Sequence, residues 1–144
     1  MKQKKLKETI IKSLADDGKE NRILFMGHTE PLPYLQISDV FLFVSEREGF
    51  GSAVIEAMAC SLPVICKKID KVTDFIITPN KTGIIIDSND PGDFIKAVLD
   101  IYYNPSLKHK MGKDGENEAI SRFSLKEITN KYLNLYNSVV KQKE

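Results

Sequence analysis

The sequence lacks an excess of charge of either sign. Its 144 residues include 21 lysines and arginines and 20 aspartates and glutamates, which gives a formal net charge of +1. Proteins that bind nucleic acid usually carry a clear basic excess, so the composition gives no indication of a nucleic-acid partner. The lysine-rich ends, residues 1–5 and 140–144, are interpreted as solvated segments, and contact with a membrane surface is the minority alternative.

Long apolar runs and cysteines are also scarce. No stretch approaches the roughly 20 apolar residues that a helix needs to cross a bilayer, and the amphipathic N-terminal stretch has no apolar core of the signal-peptide kind. Cys60 and Cys66 are the only cysteines, and both stand in apolar segments. We interpret them as reduced packing residues of a cytoplasmic protein, not as a disulfide or metal site. Without repeats or low-complexity segments, the length predicts one domain, residues 1–144.

The most informative stretch is Val40–Ile65, V-F-L-F-V-S-E-R-E-G-F-G-S-A-V-I-E-A-M-A-C-S-L-P-V-I. Val40–Val44 is a short apolar run typical of a buried strand, and Ser45–Gly51 is a polar segment with two glycines, which predicts a loop. Ser52–Cys60 has apolar residues at helical spacing, and a second apolar run begins at Val64. The pattern predicts a parallel βαβ unit, whose ligands bind beyond the carboxyl ends of the strands.

The loop and the predicted helix carry polar groups that suit a particular ligand. Gly49 and Gly51 flank Phe50, so backbone N–H groups can approach a ligand closely, and the helix N-terminus near Ser52 suits a phosphate. Glu56 lies roughly 7 Å further along the helix axis, where a carboxylate can accept two hydrogen bonds from a sugar diol. A diphosphate between two hydroxyl-bearing rings is the shape of a nucleotide-sugar.

Three segments carry a resemblance to a known family. Glu48–Ile65, E-G-F-G-S-A-V-I-E-A-M-A-C-S-L-P-V-I, resembles the E-x7-E signature of family 4 retaining glycosyltransferases with the GT-B fold. Asp39–Ser45, D-V-F-L-F-V-S, is similar to the strand that leads into that family's loop, and Asn80–Asp87, N-K-T-G-I-I-I-D, is similar to a later strand. The resemblance covers about Asn21–Tyr136, and its specific part is the first segment.

The resemblance implies a Rossmann-like α/β fold with a parallel sheet of about four strands flanked by helices, the C-terminal half of a GT-B fold. It implies the donor-binding part of an enzyme that moves a sugar from a nucleotide-diphosphate donor to an acceptor hydroxyl, in glycan or polysaccharide biosynthesis. The implied partners are a nucleotide-sugar and an N-terminal, acceptor-binding half that this chain does not match. The full enzyme would also be open to peripheral membrane contact, and the fragment alone would be inactive.

The family also implies roles for residues of the loop and helix. Glu48, as the catalytic residue, would contact hydroxyls of the donor sugar, and Glu56 would bind the ribose. Backbone N–H groups of Phe50 and Gly51 would stabilise the departing phosphate. The donor-binding set is Glu48, Gly49, Phe50, Gly51, Ser52 and Glu56. No Asp-x-Asp metal motif occurs, so neither a metal site nor a cofactor is expected.

The chain departs from the family at a second loop. Asp70, Lys71 and Val72 replace its glycines, and Asp74 stands where the family has a glutamate. Asp74 is therefore either a ligand contact or a helix N-terminal cap. Ser61 likewise replaces a glycine, which we interpret as a tolerated turn variation.

The family's first two strands have no counterpart in this chain. The strands predicted here are Ile23–Met26, Phe41–Val44, Val64–Cys66 and Gly83–Ile86. We expect Ile23–Met26 to pair directly with Phe41–Val44, with the free edge beside Ile23 available for a homodimer.

The helices are predicted from their periodicity and start signals. On Ser52–Cys60, Ile55 and Ala59 are expected to be buried beside an outward Glu56. Asp90 and Asn104 are predicted N-caps, and the helix after Asn104 is expected to be interrupted near Gly112 and Gly115.

Two other functions remain open on sequence alone. In the first alternative, the chain is a non-catalytic module that binds a nucleotide-sugar without turnover. In the second, it is an unrelated α/β domain that matches by chance. Failure of nucleotide diphosphates to perturb Phe50 and Glu56 would favour the chance match.

Overall fold

A computed structural model of the chain describes residues 2–16 and 18–141. The described residues belong to two compact units, Met1–Glu30 and Pro31–Glu144. The prediction of one domain stays a prediction.

The first unit contains helix α1 (Lys2–Asp16) and a 3-10 helix at Glu20–Arg22. Gly18, which has a φ of +65°, reverses the chain after α1 and donates its backbone N–H to Ala15 O at 3.0 Å. The apolar periodicity of the N-terminal stretch predicts a helix from about Lys4 to Asp17, and Asp17 itself lies outside the described residues. Ile23–Met26 was expected to be a strand and is not one, since it enters no ladder with any described residue.

The second unit holds the remaining elements. They are α2 (Leu32–Ile37), β1 (Phe41–Phe43), α3 (Ser52–Ala59), β2 (Val64–Lys67), α4 (Thr73–Ile76), β3 (Gly83–Ile86), α5 (Pro91–Tyr103), α6 (Pro105–Phe123) and α7 (Leu125–Lys141). Helices and strands alternate as far as α5, and two further helices follow.

The sheet has three parallel strands in the order β1-β2-β3. The registers pair Phe41 with Val64 and Ile65 with Ile84. The predicted α/β class and parallel sheet are confirmed, whereas the prediction of four strands was wrong. The apolar pattern of a strand does not by itself supply a partner for its backbone groups, and Leu24 in the missing strand is 80% exposed.

The central strand β2 builds a core on both faces of the sheet. Val64 and Cys66 point into a cluster that includes Met58, and Ile65 points into the opposite cluster with Ile101. The first three residues of β2 are fully buried, as expected for a strand covered by helices on both sides. Burial raises the pKa of the Cys66 thiol to about 12, which keeps it neutral.

Helix α3 turns a different face to the core than its apolar pattern indicated. Val54, Ala57 and Met58 are fully buried, while Ile55 is half-buried and Ala59 is exposed. The prediction that Ala59 is buried was wrong, because the buried stripe follows the spacing i, i+3, i+4 from Val54.

The predicted start signals of α5 and α6 are confirmed. Asp90 accepts a hydrogen bond from Gly92 N at 2.9 Å, and Asn104 accepts one from Leu107 N at 3.0 Å. The expected interruption of α6 was wrong, since the helix is continuous through Gly112 and Gly115. A Cβ on Gly112 would lie 2.0 Å from the Ser61 carbonyl oxygen, so this glycine permits close packing rather than breaking the helix.

Among the described helices, none combines the length and apolarity that crossing a membrane requires.

Candidate functional site

The predicted site residues lie where β1 ends and α3 begins, at the carboxyl edge of the parallel sheet. The Glu48 side chain is exposed in this loop, and one of its carboxylate oxygens accepts a hydrogen bond from Ser45 Oγ at 2.8 Å. Since that bond occupies Oε1, the other oxygen remains available to a ligand hydroxyl. Sequence reasoning placed Ser45 in the loop and gave it no role.

Gly51 makes the turn from the loop into α3. It is the N-cap residue and adopts left-handed backbone angles, φ 80° and ψ 38°. An added Cβ would lie 3.1 Å from Ile76 Cδ1 and 3.2 Å from Val72 Cγ1, so both the backbone conformation and the close packing favour glycine here. Gly49 is different, because a Cβ at that position would meet nothing within 4 Å.

The N-terminus of α3 offers backbone donors at this edge. Ser52 is exposed and is the first helical residue, and the first helical hydrogen bond runs from Val54 N to Gly51 O at 3.0 Å. The N-cap residue, Gly51, has no side chain that could accept a hydrogen bond from these N–H groups. The N–H groups ahead of Val54 therefore carry the partial positive charge of a helix start, which favours an anion.

Phe50 projects a half-exposed ring that belongs to an aromatic cluster. Its ring meets that of Phe123 edge to face, with centroids 6.3 Å apart, and Phe123 meets Phe75 in the same way at 6.0 Å. The guanidinium of Arg122 lies over both of those latter rings, 4.8 Å from Phe123 and 5.1 Å from Phe75. No sequence pattern predicts this cluster, because its members are far apart along the chain.

Glu56 is exposed on the side of α3 opposite the buried Val54, Ala57 and Met58. It lies one turn into the helix, as predicted. Burial of the Cys60 thiol raises its pKa, and the charge of Glu56, one turn earlier on α3, adds to the increase.

An ionic and polar link joins the ends of the three strands. Lys67, the last residue of β2, lies 3.6 Å from a carboxylate oxygen of Glu46 after β1. Its Nζ also donates to Asn89 Oδ1 after β3 at 2.5 Å. This link, which sequence reasoning did not predict, connects the loop that carries Glu48 to the rest of the carboxyl edge.

Two residues that are not glycine adopt a left-handed backbone. Lys71, in the second loop, has a φ of 64°, and Ser61, just after α3, has a φ of 58°. The resembling family has glycine at both positions. The N-cap of α4 is Val72, so the capping alternative for Asp74 was wrong; Asp74 is an exposed residue of the first turn. In the described part of the chain, no group of three or more His, Cys, Asp or Glu side chains is placed to hold a metal ion.

These features define a class of protein: an α/β domain whose parallel sheet presents a glycine loop and a helix N-terminus at one edge, with one exposed carboxylate in the loop and a second one turn into the helix. Within that class, the chain belongs to the glycosyl transferases group 1 family, whose model matches residues 3–118. The family prediction is thereby confirmed. The solved structures that the chain resembles are GT-B glycosyltransferases, as expected.

Individual relatives match most of this chain and a smaller part of their own length. It is 27% identical over 124 residues to the capsular polysaccharide biosynthesis glycosyltransferase CapM of Staphylococcus aureus, covering 86% of this chain and 32% of that protein. It is 29% identical over 134 residues to a poly(ribitol-phosphate) alpha-N-acetylglucosaminyltransferase of Staphylococcus aureus (strain COL), covering 92% and 27%.

A solved structure of an S. aureus TarM variant, in complex with fondaparinux, alpha-GlcNAc-glycerol and UDP, superposes with a TM-score of 0.79 at 28% identity. The match covers 92% of this chain and 27% of that one. The chain therefore spans about a third or less of these relatives' lengths.

Proposed function

We propose that this chain is the nucleotide-sugar-binding part of a retaining glycosyltransferase of glycan or polysaccharide biosynthesis. The observation that carries the proposal is the left-handed Gly51. It turns the loop that carries the exposed Glu48 directly into α3, so that the helix N–H groups follow this loop and Glu56 is exposed one turn into the same helix. Family membership gives this arrangement its chemical meaning.

The names of the relatives support the donor and product classes. CapM is named for capsular polysaccharide biosynthesis, and a second relative for transfer of N-acetylglucosamine to poly(ribitol phosphate). The TarM variant was solved with UDP and an alpha-linked GlcNAc compound. A uridine diphosphate donor is therefore the first one to test on this chain.

In the proposed reaction, the bond between the anomeric carbon and the diphosphate oxygen breaks, and the nucleoside diphosphate leaves with the bonding electrons. The acceptor hydroxyl adds to the anomeric carbon with retained configuration, and its proton passes to the departing diphosphate. Glu48 acts on the donor sugar hydroxyls, and Glu56 accepts from the ribose diol. N–H groups of Phe50, Gly51 and Ser52, beside Gly49, meet the diphosphate, whose charge grows as it leaves.

The acceptor contacts and full turnover are assigned to an N-terminal half beyond the part matched here. The proposal includes no metal or cofactor, because N–H groups and the helix start supply the positive potential. The proposed location is cytoplasmic, where nucleotide-sugar donors and reduced cysteines are compatible.

A titration of the chain with UDP tests the binding part of the proposal. Backbone amide signals of Phe50, Gly51 and Ser52 should shift in a saturable way, while those around the exposed Tyr103 at the far end of α5 should not. Saturable binding elsewhere, or none, would contradict the assigned site.

A transfer assay with UDP-sugars then separates enzyme from binding module. We expect sugar transfer only when an N-terminal half from a full-length relative is supplied together with the chain. Donor binding without transfer under both conditions would favour a non-catalytic module.

A further inference from the structure

We propose that Arg122, at the end of α6, is a positioning residue for the Phe50–Gly51 backbone. The inference rests on the proposed function, because the N–H groups so positioned are those assigned to the donor diphosphate. Arg122 reaches these two neighbouring loop residues by separate routes, one through α4 and one through Phe123.

The first route runs through the backbone of α4. Arg122 Nη2 donates to Phe75 O at 2.5 Å, and Nη1 lies 3.4 Å from Ile76 O. These carbonyls close the short helix α4, whose last carbonyls have no partner within the helix itself. The Ile76 side chain in turn packs against Gly51, close enough that an added Cβ would be 3.1 Å away. By bonding the end of α4, Arg122 therefore holds the Ile76 side chain in its position against Gly51.

The second route runs through aromatic rings. The guanidinium stacks over Phe123 at 4.8 Å, and the Phe123 ring meets the Phe50 ring edge to face at 6.3 Å. Phe50 is 54% exposed, and its contact with the Phe123 ring restrains it at the protein surface. A cation over an aromatic face and an edge-to-face ring pair are each stabilising and directional.

Arg122 is itself held in place. Glu118, one turn earlier on α6, accepts a charge-assisted bond from Arg122 Nη1, and its carboxylate oxygens also accept from Thr78 Oγ1 at 3.1 Å. The Glu118 side chain is only 14% exposed and that of Arg122 32%, so the pair is partly shielded from water. A guanidinium oriented in this way can bond two carbonyls and stack on rings at once, which a lysine ammonium cannot do.

The test compares Arg122→Met and Arg122→Lys with the unchanged chain. The matched control is Lys113→Met, which removes a cation of the same helix whose partner is Glu116 at 2.9 Å. Phe123→Leu is a second variant that breaks only the ring route, in case Arg122→Met does not fold. The first readout is the backbone amide signals of Phe50 and Gly51 without ligand.

The second readout is affinity for UDP and for UMP. We expect Arg122→Met to shift both amide signals and to weaken UDP binding about tenfold, with UMP binding reduced less than about threefold. Arg122→Lys should stay impaired, since it restores charge without the planar fork. Lys113→Met should leave the amide signals and both affinities unchanged.

Two results would overturn the inference. Unshifted Phe50 and Gly51 amides in folded Arg122→Met would show that Arg122 does not position the loop. Equal losses of UDP and UMP affinity, or full recovery with Arg122→Lys, would indicate general stability or long-range charge instead. If the unchanged chain binds no UDP, the proposed function fails for this chain, and the amide signals alone then decide whether Arg122 positions the loop.

Discussion

The two carboxylates of the proposed site are held in different ways. Glu56 stands on α3, whose opposite face, including Met58, is fully buried. Glu48 stands on an exposed loop, where its carboxylate accepts one hydrogen bond from Ser45. Core packing thus sets the position of the first carboxylate, and a local bond sets that of the second.

We therefore expect the Glu56 carboxylate to be held rigidly and the Glu48 carboxylate to be able to adjust its position. A carboxylate on a packed helix suits a group that is the same in every donor, such as the ribose. A carboxylate on a loop can adapt to the sugar, which differs among donors. The following predictions probe that contrast.

The largest effect is expected from removing the anchor of α3. Met58→Ala should lower the free energy of unfolding by about 2–5 kcal/mol, because Met58 is fully buried between the sheet and α6. Denaturant unfolding measures the change. Leu125→Ala, at a position 84% exposed, is the control and should change stability by less than about 0.5 kcal/mol. Equal effects of both substitutions would contradict the assignment of α3 as the packed part of the site.

The second largest effect is expected from Glu56→Ala. Losing a charged acceptor for the ribose diol should weaken UDP binding by about 1.5–3 kcal/mol, with little change in stability because the side chain is exposed. Calorimetric titration measures the affinity. The matched control is Asp100→Ala, which removes an exposed carboxylate near the C-terminal end of α5. Unchanged UDP affinity in Glu56→Ala would remove the ribose assignment.

Glu48→Ala should act on the sugar rather than on the nucleotide. In an enzyme completed by its N-terminal half, we expect turnover to fall more than affinity for UDP, because the contact is made to the transferred sugar. Steady-state kinetics and UDP titration together give the comparison. If binding of UDP-sugar and of bare UDP fell equally, Glu48 would have a structural role in the loop.

The smallest effect is expected from Ser45→Ala. Loss of the 2.8 Å bond frees the Glu48 carboxylate to rotate, which should weaken UDP-sugar binding by about 0.5–1.5 kcal/mol and leave UDP binding unchanged. Ser45→Thr keeps the hydroxyl and should restore most of the affinity. In the background of Glu48→Ala, Ser45→Ala should have no further effect, and an additive loss would show that Ser45 acts independently.

Local signals predicted much of this fold. The N-caps Asp90 and Asn104 depend on contacts within three residues, so their sequence signals were sufficient. The apolar runs of β2 and β3 correctly predicted strands, because both segments find a partner in the sheet. The same reasoning failed for Ile23–Met26, whose apolar pattern is equally strand-like but has no partner in the sheet.

The left-handed turns show a similar limit. Gly51 was predictable as a turn residue from its type, whereas Lys71 and Ser61 adopt comparable angles although neither is a glycine. Their conformation follows from the surrounding turns, and Ser61 also donates to Glu116 Oε2 at 2.6 Å across the fold. No short-range pattern contains that bond.

The βαβ unit, the glycine loop and the order of Glu48 and Glu56 were predictable from the sequence, because these features depend on residues close together in the chain. The number of strands, the buried face of α3 and the contacts of Arg122 with Phe75 and Phe123 depend on segments that are distant in the chain. Strand pairing and side-chain contacts between distant segments depend on which backbone and apolar groups meet in space. Local periodicity does not encode that choice.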